Sequence, residues 1–248
     1  MIERIPAEDR HFADFGWLQT YWLFSFAHYY DPRNIQFGAL RVYNDDVVAS
    51  GAGFPTHPHE EMEIITVPLQ GELTHKDSMG NKHVIRAGDV QRMSAGTGLT
   101  HSEYNLGTEP VRFYQIWIFP DQKGLAPTYD QKTFSPELWK NRLMPIASGQ
   151  GHPGTVMFHT DAAIYRCELD EGQTVRFDTD DARRIFIYNT QGRFAVNGEV
   201  IRYRDQARID EVTSLEIVAE KHSDFMLIDV PSCKGWGYDD KTLRGAKA

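Results

Sequence analysis

Cysteine is nearly absent from this chain: two residues in 248, Cys167 and Cys233, far apart and without Cys-x-x-Cys spacing. That excludes a disulfide framework and points to a reducing compartment, so a cytoplasmic location is expected. No apolar run is long enough for a membrane-spanning helix. Residues 1–10 lack the basic start and apolar core of a signal peptide, and none is expected. Positive charge is also in short supply, with 26 Lys and Arg against 35 Asp and Glu and a net charge of −9. That balance argues against a nucleic-acid or anionic-membrane surface.

What the chain does contain is short β-type runs between turn residues, with no helical periodicity between them. In the first half they fall at 37–42, 47–52, 62–69, 72–76, 83–86, 90–93 and 111–119. Turn signals separate them at Asn44-Asp45-Asp46, Gln70-Gly71, Met79-Gly80-Asn81, Ala87-Gly88 and Leu106-Gly107. A second block follows at 164–169, 174–177, 184–190, 193–196, 199–201, 206–209, 214–218 and 225–230, with Asn197-Gly198 as a tight hairpin signal. The pattern predicts an all-β protein made of antiparallel sandwiches or barrels. Between the blocks, Pro-punctuated residues 120–160 read as a connection. A short helix is expected from Ser135, with Pro136 at its first position. The aromatic run at residues 11–32 reads as a strap over one end of a barrel, packed into its core.

The chemistry-bearing residues gather between His57 and Asn105. In a strand, side chains two apart share a face, so His57 and His59 can aim both imidazoles at one point. His101 and Glu103 repeat that spacing. A single His-x-His is a weak signal, whereas two strand-spaced pairs set among turn glycines are a strong one. Brought together on neighbouring strands they supply three imidazoles and a carboxylate, a set that suits Fe, Mn, Co, Ni, Cu or Zn with positions left open. His75 reads as an isolated exposed or structural histidine, and Glu60-Glu61 as a solvated pair beside the ligand loop.

These residues resemble a known family. Gly51, followed after five residues by His57-Pro58-His59, then Glu63 and Gly71, resembles the first cupin motif; Gly88 through Asn105 resembles the second. The Glu two residues after the last His resembles the pirin family, as do Ser94 in place of the usual Pro and the four residues between Gly96 and His101. Asp77-Ser78-Met79-Gly80-Asn81, Gly16-Trp17-Leu18 and Tyr29-Tyr30-Asp31-Pro32 are also pirin-like, and the close resemblance spans residues 12–120.

The resemblance implies a bicupin, two jelly-roll barrels in tandem. Residues 1–130 would form an N-terminal cupin domain with the metal site, 131–160 a connection, 161–231 a C-terminal cupin domain without a metal motif, and 232–248 a flexible tail. The implied ligands are His57, His59, His101 and Glu103 around one divalent ion, with iron first and Cu, Mn, Co, Ni or Zn also accepted. Glu63 would serve a structural or supporting role. The implied activity is that of a quercetin 2,3-dioxygenase: a flavonol substrate and O₂, heterocyclic ring opening with carbon monoxide release, and Glu103 as base. A metal-binding regulatory or redox-sensing protein acting through a protein partner is the alternative. A cupin isomerase or decarboxylase acting on a small acid is a third reading, but the ligand loops lack the basic residues it needs.

Overall fold

A computed structural model describes residues 1–232. The short runs do form strands, and these assemble into four sheets, two of seven strands and two of four. Two 3₁₀ turns, Ala7–Asp9 and Pro136–Leu138, are the only helical segments among the described residues. The second is the helix expected at Ser135, shortened to a single turn.

Each half pairs one large sheet with one small sheet, giving two jelly-roll barrels in tandem. In the N-terminal half the large sheet runs in the order Thr128–Thr133, Asp89–Ser94, Glu63–Gln70, Val111–Ile118, Leu40–Val48, Leu18–Trp22 and His11–Asp14. Its small sheet has the order Gly53–His59, Leu99–Tyr104, Glu72–Asp77 and Lys82–Arg86.

The two large sheets pack face to face. Leu40, Tyr43, Ile65, Val67, Tyr114 and Ile116 of the first meet Ile164, Phe186, Tyr188, Met226, Ile228 and Val230 of the second in one buried core. Strand alternation turns the intervening residues, Asn44, Ile64, Thr66, Gln115 and Trp117, into the first barrel. The second barrel is filled with apolar side chains instead, among them Cys167, Ile187, Phe194, Ile217 and Phe225.

Three expectations need correcting. Asn44-Asp45-Asp46 is no turn: it lies inside the continuous strand Leu40–Val48, paired on both edges. Its polar side chains are buried and find other uses. Arg112 donates to both carboxylate oxygens of Asp45 at 2.9 Å, and the Tyr188 hydroxyl donates to the same carboxylate at 3.0 Å. Nor is the aromatic run merely a strap, since His11–Asp14 and Leu18–Trp22 extend the large sheet before the chain leaves it. Residues 131–160 are also built into sheets, with Thr128–Thr133 paired to Asp89–Ser94 and Met144–Ser148 paired to Ala163–Leu169.

The first strand, Ile2–Ile5, was not read from the sequence. It pairs with Gln206–Asp210 in the large sheet of the C-terminal half, so the start of the chain ties the halves together. The flexible tail expected at 232–248 lies, from Cys233 onward, outside the described residues.

Asp45 is 2% exposed and holds Arg112 of the neighbouring strand at the seam, where Tyr188 of the other half joins it. Replacing it with Leu leaves the Arg112 guanidinium without its carboxylate. We expect Asp45→Leu to cost about 3 kcal/mol in urea unfolding, and a paired Asp45→Leu, Arg112→Leu variant to recover much of that. A neutral single variant would show that the seam does not depend on this pair.

Candidate metal centre

Gly53–His59 is an edge strand of the small sheet, and His57 and His59 on it are partly exposed. Its one neighbour is Leu99–Tyr104, in a register that sets His101 directly opposite His57 and Leu99 opposite His59. The register then slips between His101 and Glu103, so that Glu103 faces Phe54. Gly53 permits this close approach: a Cβ there would lie 2.2 Å from the Glu103 carbonyl and 2.6 Å from the Tyr104 Cα.

The three imidazoles converge. Ring centroids lie 4.4 Å apart for His57 and His101, 4.8 Å for His57 and His59, and 4.9 Å for His59 and His101. The Nε2 atoms of His57 and His101 are 3.0 Å apart. His57 Nδ1–H donates to the Pro55 carbonyl at 2.7 Å, which leaves the Nε2 lone pair directed at the cluster. Burial, and then the neighbouring imidazoles, push His59 down to about 3 and His101 down to about 2. Both rings are therefore neutral, in the form that binds metal.

Glu103 sits deeper and is 2% exposed. Gln115 Nε2 donates to its Oε2 at 2.9 Å; the Thr66 hydroxyl lies 3.4 Å from its Oε1 and donates to Gln115 Oε1 at 2.9 Å. These donors are neutral. Burial raises the Glu103 carboxyl to about 7 although both hydrogen bonds oppose it. A buried carboxylate with only neutral partners is costly and calls for a cation. The three converging imidazoles near it suit a first-row divalent ion.

Donor atoms of His57, His59 and His101 all lie within 4.8 Å of one another. Glu103 belongs to a second such group, formed with His101 and His75. The structure thus brings the three histidines together as the sequence suggested, with Glu103 beneath His101 on the inner side. His75 is 0% exposed and was undervalued in the sequence. The signal for it was strand pairing, since His75 stands opposite Glu103 and Asp77 opposite His101.

Glu63 points the other way, towards the seam between the barrels. It accepts from Ser94 Oγ at 2.6 Å and lies 3.2 Å from His159 Nδ1. Glu60 is exposed, whereas Glu61 accepts the Gly124 N–H at 2.8 Å. The aromatic run does reach the centre: Trp117 packs edge-to-face on His59 at 4.9 Å, and Phe26 on Trp117 at 5.3 Å. Both histidine groups belong to the N-terminal barrel.

A tandem cupin with a divalent-metal donor set in its first barrel is the class of protein that fold and site define. The comparisons with known proteins agree. The Pirin family model matches residues 6–118, and a model described as the quercetinase C-terminal cupin domain matches residues 145–230. A quercetin 2,3-dioxygenase of Escherichia coli strain K12 is 40% identical over 93% of this chain and 99% of its own length. A pirin-like protein of Caulobacter vibrioides is 41% identical over 92% of this chain and 99% of its own. The crystal structure of the bacterial pirin YhhW from Escherichia coli, in complex with nickel(II), superposes with a TM-score of 0.89. It is 39% identical and covers 94% of this chain and all of that one. The chain belongs to the pirin family. Among the described residues no helix is long and apolar enough to cross a membrane.

Two buried acids make metal-free stability depend on pH. Glu103 rises from 4.5 to about 7, and Asp46 rises from 3.8 to about 8 through burial, against Thr20 and aided by the charges of Asp45 and Glu103. The folded state holds these protons more tightly than the unfolded one. Their contribution is therefore complete below about pH 4 and is lost as pH climbs through 7 to 8. We expect the thermal midpoint of metal-free protein to fall across that window, and Glu103→Gln and Asp46→Asn each to flatten the fall. Profiles in the two variants that match wild type would contradict it.

Proposed function

We propose that this chain is a metal-dependent dioxygenase that opens the heterocyclic ring of flavonols such as quercetin and releases carbon monoxide. The observation that carries this reading is the trio of imidazoles on and beside a partly exposed edge strand, close to a buried carboxylate that has no cation of its own among the described residues. The similarity to proteins named quercetin 2,3-dioxygenase, sustained along nearly the whole chain, supports it.

In this reading His57, His59, His101 and Glu103 hold one divalent ion, with iron as the first choice and Cu, Mn, Co, Ni or Zn also accommodated by the donor set. When bound, the ion supplies the Lewis acidity that favours the deprotonated form of a flavonol 3-hydroxyl. The chain's own residues do the rest. His57 and His59 lie on the partly exposed strand, which makes that side the entrance. Trp117, backed by Phe26, offers an apolar wall beside His59 that suits a flat aromatic substrate and excludes water. Glu103 accepts the hydroxyl proton, with Gln115 and Thr66 fixing its carboxylate. The substrates are a small flavonol and O₂. The C-terminal barrel takes no part in the chemistry and covers the outer face of the catalytic one.

The test is carbon monoxide release together with quercetin loss, by metal-free protein and by protein reloaded in turn with Fe, Cu, Mn, Co and Ni. Turnover should require metal and vanish in a His57→Ala, Glu103→Ala double variant. Glu103→Gln should lower kcat by about 100-fold or more. One metal per chain without turnover would instead favour a regulatory or redox-sensing protein that acts through a protein partner.

A further inference from the structure

His75 and Asp77 form a buried support behind His101 that neither the proposed ligand set nor the proposed chemistry uses. The Asp77 carboxylate is anchored by the Met79 and Asn81 backbone N–H groups at 2.9 and 3.0 Å and by Asn81 Nδ2 at 2.8 Å. Its Oδ2 lies 3.1 Å from His75 Nε2. A carboxylate only accepts, so the His75 proton sits on Nε2 and its Nδ1 carries a lone pair. That Nδ1 is buried and has no hydrogen-bond partner among the described residues.

His101 presents the complementary case. Its Nε2 faces His57 Nε2, on the side of the imidazole cluster, while its Nδ1 is buried and also without a partner. A ring bound to metal through Nε2 carries its proton on Nδ1 and so needs an acceptor there. Metal-bound histidines almost always have one. The two rings are 5.4 Å apart, and strand pairing places His101 opposite Asp77 and Glu103 opposite His75. A nitrogen of each ring and a carboxylate oxygen of Glu103 lie within 4.8 Å of one another. A water placed among these groups would accept from the His101 N–H and donate to His75 Nδ1 and the Glu103 carboxylate. Those are the two to four polar partners that a buried water requires. Tyr129 packs on His75 at 5.0 Å and limits rotation of its ring.

We infer that His75, set in one tautomer by Asp77, is a positioning residue of the metal centre, joined through a buried water to the far side of His101 and to Glu103. The inference rests on the metal reading above. It goes further in assigning to His75 the retention of the ion and the orientation of two of its ligands.

The test loads wild type, His75→Leu and His75→Asn with cobalt(II). It follows cobalt release to a chelator and the paramagnetically shifted imidazole N–H signals in the proton spectrum. His75→Leu should release cobalt roughly 10- to 100-fold faster and lose one slowly exchanging N–H signal. His75→Asn keeps an acceptor oxygen on the same face and should recover much of both. If His75→Leu does not fold, Asp77→Asn serves instead, because an amide donating to His75 Nε2 moves the proton to Nδ1 and abolishes the acceptor. Wild type that takes up no cobalt would overturn the metal centre and this inference with it. Cobalt uptake with unchanged release and unchanged N–H signals in a folded variant would overturn this inference alone.

Discussion

The central strands of the large sheet in the N-terminal half are buried on both faces, and that constraint governs what they can carry. Successive residues must suit two different interiors. Ile65, Val67, Tyr114 and Ile116 meet the second barrel, while Ile64, Thr66, Gln115 and Trp117 line the first. A polar residue on either face needs a partner, because water cannot reach it. The chain meets that need in two ways. At the seam Asp45 has its own cation in Arg112, along with the Tyr188 hydroxyl. Inside the barrel the hydrogen-bond partners of Glu103 among the described residues are Gln115 and Thr66, both neutral. The first arrangement is complete as built, and the second asks for an ion from outside the chain.

The two barrels share a fold and differ in filling. The second is packed with side chains such as Ile187, Phe194 and Phe225, which stabilise it by burial and, among the described residues, leave no donor set. The first gives up part of that burial to hold His75, His101, Glu103, Thr66 and Gln115. Such groups are expensive in a core unless they work together, which is why the inner sheet reads as a site and the rest as scaffold. The halves are joined by packing across the seam and by Ile2–Ile5, which the chain lends from its first residues to the second barrel.

Much of this was legible in the residues. Turn glycines between short β-runs announced an all-β chain, and the two His-x-His-like pairs announced the centre, because a period of two is a local property of any strand. The failures have a common origin. Asn44-Asp45-Asp46 has turn chemistry, yet pairing on both edges and buried partners hold it in a strand. Residues 11–32 looked like packing aromatics because nothing local shows which edge of a sheet stands open. His75 looked isolated because its neighbours come from another strand, some 26 to 28 residues further along the chain.

By itself, then, the sequence determined the fold class, the pairing of His57 with His59 and of His101 with Glu103, and the family. Each is written in spacing along one stretch of chain. Only the tertiary structure decided that Glu63 turns to the seam, that Glu103 lies beside His101 and His75 with no cation among the described residues, and that His75 and Asp77 stand behind His101. The physical reason is register. Which side chain faces which across two strands depends on hydrogen bonds between distant segments and on a one-residue slip at Glu103, and neither is encoded within either strand alone.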